Sequence, residues 1–267
     1  MKYTNYIFDL YGTLVDIRTD EYSKAFWKKM ADYYACFGAD YTAESLKENY
    51  NSLIKKEEKR LISELKKKKI DCRYPEIKLE KIFGQLLLQA PKKHSSEAGD
   101  HLLASPELDT WSVDTAHFFR ITSRKHFRLY PGTLTTLKEL RKQGAKIYLL
   151  SNAQRSFTFS EMEVLGLPKL FDGIYVSSDL KMKKPQPEFL LSLLKEYHLD
   201  GKESVMVGND FQSDVGIARA CHVDSVFLNT DRFPDAELKK RLKAAKQDGE
   251  GKITIFADGK ITHLLDE

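Results

Sequence analysis

Asp9 stands directly after the apolar run Tyr6-Ile7-Phe8 and is followed by Leu10, Tyr11, Gly12 and Thr13. A carboxylate so placed can attack carbon or phosphorus and form a covalent intermediate that water later hydrolyses. Three further clusters follow later strand-like runs. Ser151-Asn152 comes after Ile147 to Leu150, Lys184-Pro185 lies beyond Gly173 to Val176, and Gly208-Asn209-Asp210-Phe211-Gln212-Ser213-Asp214 follows Ser204 to Val207. The hydroxyls of Thr13 and Ser151 can donate hydrogen bonds to a transferring group or orient the nucleophile. Lys184 can hold Asp9 ionised and balance charge on a substrate. Asn209, Asp210 and Asp214 gather oxygen donors of the kind a hard cation such as Mg2+ takes. Gly12 and Asn152 are expected at the substrate. Each type also has an ordinary use: an Asp can close a local turn, a Ser can cap a helix, and Asp214 can complement a helix N-terminus. Four such clusters in order, each beyond a strand pattern, make coincidence improbable.

The elements that position them read as alternating strands and helices. Short β-branched runs at Lys146–Leu150, Gly173–Val176, Ser204–Val207 and Ser225–Leu228 alternate with helical stretches, the pattern of βαβ units and a parallel sheet. A glycine after the first strand, Gly12, permits a sharp turn. From about Thr19 to Arg128 the period changes to that of helices. Phe26, Met30, Tyr33 and Phe37 form an apolar stripe. Thr19 is expected to cap that helix, Gly38 to close it and Thr42 to open the next. Helices are expected near 76–90 and 112–126, a loop from Ala90 to Pro106, and a terminal hairpin at Asp258-Gly259. The expected organisation is a core of residues 1–17 and 129–267 with a helical insert of residues 18–128.

The four clusters, in this order, resemble the motifs of the haloacid dehalogenase superfamily. The resemblance implies a doubly wound, Rossmann-like α/β core with a helical cap inserted after the first strand. It also implies a hydrolase with Asp9 as covalent nucleophile and Thr13, Ser151 and Lys184 around it. The superfamily's phosphatases mostly carry a second Asp two residues after the nucleophile, as general acid and base; here that residue is Tyr11. A tyrosine, with a reference pKa of about 10, is a poor acid near neutrality. Asp-x-Tyr-Gly-Thr looks like the motif of the dehalogenases themselves, whose halide leaves without a proton, as the carboxylate of an acyl phosphate also does. The fourth cluster looks instead like the magnesium loop of the phosphatases, with Asn209 where an Asp usually stands. The reading favoured is an Mg2+-dependent phosphatase of a small phosphorylated metabolite, its metal held by Asp9, the Tyr11 carbonyl, Asn209, Asp210 and Asp214. A metal-independent 2-haloacid dehalogenase and a non-catalytic binding module on the same fold stand as alternatives. Asp109, Asp114, Arg120, Arg124 and His126 of the insert are candidates to replace the missing acid.

Composition narrows the classes. A chain of 267 residues, 42% apolar and 31% charged, can bury a sizeable core. Its net charge of +4 includes the run Lys66 to Lys69, expected as a solvated helix end. No interleaved aromatics or known module point to nucleic acid. No run of 18 apolar residues points to a membrane span. Three scattered cysteines and an N-terminus without a signal-peptide pattern suggest a reduced, cytoplasmic protein. The expected partner is a small anionic substrate; the sequence sets no oligomeric state.

Overall fold

In the computed structural model, which describes residues 2–92, 105–245 and 249–266, the short apolar runs become strands because each is buried on both faces. Along β1 (Asn5–Phe8), Tyr6 and Phe8 join one hydrophobic cluster, with Leu149, Val205 and Val207. Ile7 joins the opposite one, with Tyr148, Met206 and Phe189. This is the period of two expected of a strand covered on both sides. The other strands are β2 (Val15–Thr19), β3 (Arg124–Leu129), β4 (Lys146–Ser151), β5 (Gly173–Val176), β6 (Ser204–Gly208), β7 (Asp224–Leu228) and β8 (Ile253–Phe256). Six form one sheet in the order β5-β4-β1-β6-β7-β8, and every pairing in it is parallel. The chain runs outward from β1 on one side, to β4 and β5, then crosses back to build the other side from β6. The topology therefore switches direction between β1 and β6, and open α/β sheets bind ligands at the carboxyl ends flanking such a switch.

The helices are α1 (Lys24–Ala35), α2 (Ala43–Lys67), α3 (Leu79–Leu88), α4 (Ser105–Ser123), α5 (Thr133–Lys142), α6 (Arg155–Val164), α7 (Ser177–Leu180), α8 (Pro187–Glu196), α9 (Gly216–Ala220) and α10 (Asp235–Ala245). Contacts divide the chain into two compact units. The α/β unit comprises Met1–Ile17, Phe127–Ala153 and Glu161–Glu267; the helical unit comprises Arg18–His126 and Gln154–Ser160. The helical unit has its own aromatic core, in which Phe26, Trp27, Tyr50, Phe83 and Phe119 make edge-on and stacked ring contacts. Gln154 belongs to this unit because its amide donates to Glu76 and the Ile77 carbonyl and accepts from the Leu79 N–H.

Several local expectations are corrected. Thr19 ends β2, and Ser23 caps α1 by accepting from the Phe26 N–H. The cause is Asp20, whose carboxylate takes the N–H groups of Tyr22 and Ser23 and so forms a turn before the helix. Gly38, by contrast, does close this helix: at φ +82 it turns the chain so that its N–H donates to the Ala35 carbonyl and the Ala39 N–H to the Tyr34 carbonyl. Helix α4 begins at Ser105, inside the expected loop; positions 93–104 lie outside the described residues. It stops at Ser123, because Arg124 onward forms β3 and pairs with β2. No hairpin forms at Asp258-Gly259. Strand β8 pairs in parallel with β7, and Ile261 turns into the α/β core instead of lying across from Ile255.

Candidate active site

The loop after β1 is a tight backbone knot. The N–H groups of Thr13, Leu14 and Val15 converge on the Leu10 carbonyl, and the Gly12 N–H donates to Val15. Gly12 sits at φ +84, and a Cβ there would overlap the amide of Asn209. Only glycine satisfies both demands at low cost. Asp9 remains in register through its N–H to the Val207 carbonyl, so its side chain emerges at the carboxyl end of the sheet.

That carboxylate is gripped from three directions. Oδ1 accepts from the Ser151 hydroxyl at 3.0 Å and from Lys184 Nζ at 2.7 Å; Oδ2 accepts from the Thr13 hydroxyl at 3.3 Å. The same ammonium donates to Asp214 Oδ1 at 2.6 Å. Lys184 is 3% exposed and Asp214 2%, so one lysine stands between two buried carboxylates. Burial acts against the charged lysine, but the charges of Asp214 and Asp9 and their hydrogen bonds outweigh it and hold Lys184 above its ordinary value. Burial is also the main force on Asp214 and, against the pull of Lys184 and with the added charge of Asp9, pushes it up to about 6.

Asp214 also organises its own loop: Oδ2 accepts the N–H groups of Asn209 and Asp210, each at 3.0 Å. A wide helical turn over Phe211–Val215 brings it back beneath β6. Gly208 lies so close that any Cβ would overlap the Asp214 carboxylate. Gly208→Ala is therefore expected to lower stability by about 1–3 kcal/mol, as overpacking does, read as a lower midpoint in chemical denaturation. An unchanged midpoint would contradict this close fit.

Of the residues singled out in the sequence, Asp9, Thr13, Ser151, Lys184, Asn209 and Asp214 converge here. The Asn209 carbonyl oxygen accepts a second contact from the Thr13 hydroxyl, at 3.2 Å. Asp210 does not join them. It is exposed, and its Oδ1 accepts the Ser213 N–H at 2.5 Å, so it caps its own turn instead of facing Asp9. Asn152, expected at the substrate, clamps the Lys184 backbone: its Oδ1 accepts the Lys184 N–H at 2.7 Å and its Nδ2 donates to the Lys184 carbonyl at 3.0 Å. The Tyr11 hydroxyl donates to Glu161 at 2.5 Å. Glu161 and Thr230, whose hydroxyl holds the Gly12 carbonyl at 2.6 Å, had no signal in the sequence. Each is an ordinary polar residue remote from any motif.

The donor set suits a magnesium ion, which is usually held by one or two carboxylates together with water and substrate oxygens. Asp9 and Asp214 supply the carboxylates and Asn209 a neutral oxygen. Among the described residues, no group of three or more His, Cys, Asp or Glu side chains forms a fuller cage.

A family model for haloacid dehalogenase-like hydrolases matches residues 3–222. The ribulose-1,5-bisphosphate 5-phosphatase of Halopiger xanaduensis is 26% identical over 137 residues, covering 51% of this chain and 56% of that protein. The phosphoglycolate phosphatase of Nitrosococcus oceani is 28% identical over 133 residues, covering 49% and 59%. The chain thus spans about half the length of the curated relatives it matches. The 2-haloacid dehalogenase of Pseudomonas syringae pv. Tomato has a similar fold, with TM-score 0.55 and 19% identity over 91% of this chain and 99% of that one.

Proposed function

Since the chain belongs to the haloacid dehalogenase-like hydrolase family, we propose that it is an Mg2+-dependent phosphatase of a small phosphorylated metabolite, acting through an aspartyl-phosphate on Asp9. The observation that carries this reading is the buried Lys184 ammonium, bonded at once to the buried carboxylates of Asp9 and Asp214. Two carboxylates would repel an anionic substrate unless a cation completed the site. Phosphatase-named relatives support the same choice.

Ser151 and Lys184 both engage Oδ1 of Asp9, which leaves Oδ2, with its one longer bond from Thr13, the better oxygen to attack phosphorus in line. Lys184, bonded to Oδ1, neutralises charge as the phosphoryl group transfers. Ser151 and Thr13 then orient that group through their hydroxyls. Asn152 fixes the lysine by its backbone, and Gly12 leaves room for Asn209 beside the nucleophile. Bound Mg2+, held by Asp9, the Tyr11 carbonyl, Asn209 and Asp214, would supply electrostatic stabilisation of the phosphoryl oxygens. The helical unit takes the part of a cap that selects the substrate. No helix among the described residues is long and apolar enough to cross a membrane.

The test is phosphate release from a panel of small phosphate esters and acyl phosphates, with Mg2+ and with EDTA. Release that EDTA abolishes, together with borohydride trapping of a phosphoryl group on Asp9, is the expected result. Trapping at any other residue would sink the assignment. Tyr11 favours one second reading, cleavage of a small 2-haloacid without metal. Halide release indifferent to EDTA, with no phosphate release, would establish it instead.

A further inference from the structure

The phenolic proton of Tyr11 is directed into the carboxylate of Glu161 at 2.5 Å. Glu161 lies on α6 and is 6% exposed, while the Tyr11 ring packs against the larger core cluster of the α/β unit. The residue is thus held at both ends, by apolar contact along its ring and by a charge-type hydrogen bond at its tip. A tyrosine has one hydroxyl proton to give, and here a buried acceptor already takes it. Where most superfamily phosphatases carry a second Asp as general acid and base, this chain carries a tyrosine whose hydroxyl is bonded to Glu161.

We propose that the Tyr11–Glu161 pair specialises the site for acyl phosphates, whose leaving group departs as a carboxylate and requires no proton. This rests on the phosphatase reading given above. In the first step an oxygen of Asp9 bonds to phosphorus, the bond between phosphorus and the acyl oxygen breaks, and the carboxylate leaves with the electron pair. In the second step water attacks the aspartyl-phosphate, Asp9 is released as a carboxylate, and both water protons end on inorganic phosphate. Neither step draws a proton from Tyr11. A carboxylate of ordinary pKa near 4 is a stable anion at neutrality, whereas an alkoxide is not. An alkyl phosphate therefore forgoes the ~10²–10⁴-fold that a positioned general acid contributes. Phosphoglycolate and ribulose bisphosphate, named for the relatives, are alkyl esters of that kind.

The experiment compares kcat/KM for acetyl phosphate and for 2-phosphoglycolate, using the full chain with Mg2+. It is repeated with Tyr11→Asp and with the double variant Tyr11→Asp/Glu161→Gln, which removes the repulsion between two neighbouring carboxylates. The expected result is a preference for acetyl phosphate of about 100-fold or more in the unaltered chain. Either variant that remains folded by circular dichroism should narrow that preference at least about tenfold, by gaining activity on phosphoglycolate. Equal turnover of the two substrates by the unaltered chain would overturn the inference and leave the phosphatase reading standing. A preference that persists in folded variants would overturn the role of the pair. Phosphate release from neither substrate would overturn both readings.

Discussion

Replacing Asp9 by asparagine is expected to lower phosphate release by on the order of 10⁴–10⁶-fold, with the fold retained. The amide is nearly isosteric and can still accept from Ser151 and Lys184, which now hold the Asp9 oxygen at 3.0 and 2.7 Å. It cannot form the covalent intermediate. At the level of the barrier the loss corresponds to roughly 5–8 kcal/mol, far more than any rearrangement of two hydrogen bonds would cause. Stability should change little, because Asp214 keeps its partner. The charge of Asp9 also raises the pKa of Asp214, so its removal should bring Asp214 down. Turnover assays beside a denaturation curve and a carboxyl titration by NMR check all three points. A variant that retains more than a few per cent of activity would remove Asp9 from the nucleophile's place.

The second large effect falls on folding. Lys184→Met removes the cation that stands between two buried carboxylates. Breaking a buried pair in this way typically costs about 3–5 kcal/mol, because the remaining charge is left uncompensated. The sign of its pH dependence follows from Asp214, which in the folded chain already lies near 6 against an ordinary 3.8. A carboxyl raised on folding binds its proton more tightly in the native state. Its contribution is therefore favourable in acid and is lost as pH rises through the folded pKa. Without Lys184, which lowers Asp214, that pKa climbs further. The variant should approach the parent's stability near pH 4–5 and fall below it most at pH 8. Urea denaturation at three pH values measures this. A deficit that is the same at every pH would mean that the charges of Asp9 and Asp214 are not what Lys184 compensates.

Much of the fold was legible because burial writes itself into a strand. The runs at β1, β4, β6 and β7 are apolar on both faces, and such runs bounded by turns leave few readings. Strand β3 was not legible for the opposite reason. Arg124-Lys125-His126-Phe127-Arg128-Leu129 lies mostly at half-buried and exposed positions, so its charges continued the pattern of the preceding helix. Asp258-Gly259 has turn chemistry, but turn chemistry does not say whether the next segment returns as a strand; the burial of Ile261 decided that. In the site, motif order indicated which loops would meet at the sheet's edge, and Asp9, Ser151, Lys184 and Asp214 do meet there. Side-chain direction within a loop was beyond reach. Asp210 and Asp214 are alike in sequence, yet one caps Ser213 while the other is buried against Lys184. The Tyr11–Glu161 bond joins residues 150 positions apart, a separation that no local pattern reports.

The ribbon of β2 and β3 bears on how this protein could be re-engineered. Both borders of the long helical insert fall inside that ribbon, after Ile17 and before Phe127. An exchange of inserts between relatives would naturally be cut there. Yet Gln154–Ser160 belongs by its contacts to the helical unit, with Phe157 buried in the aromatic core and Gln154 bonded to residues 76–79. A chimera spliced only at the ribbon would therefore pair a foreign insert with native Gln154 and Phe157, whose partners had gone. The transplantable module has four seams, and two of them bracket Gln154–Ser160, just beyond Ser151.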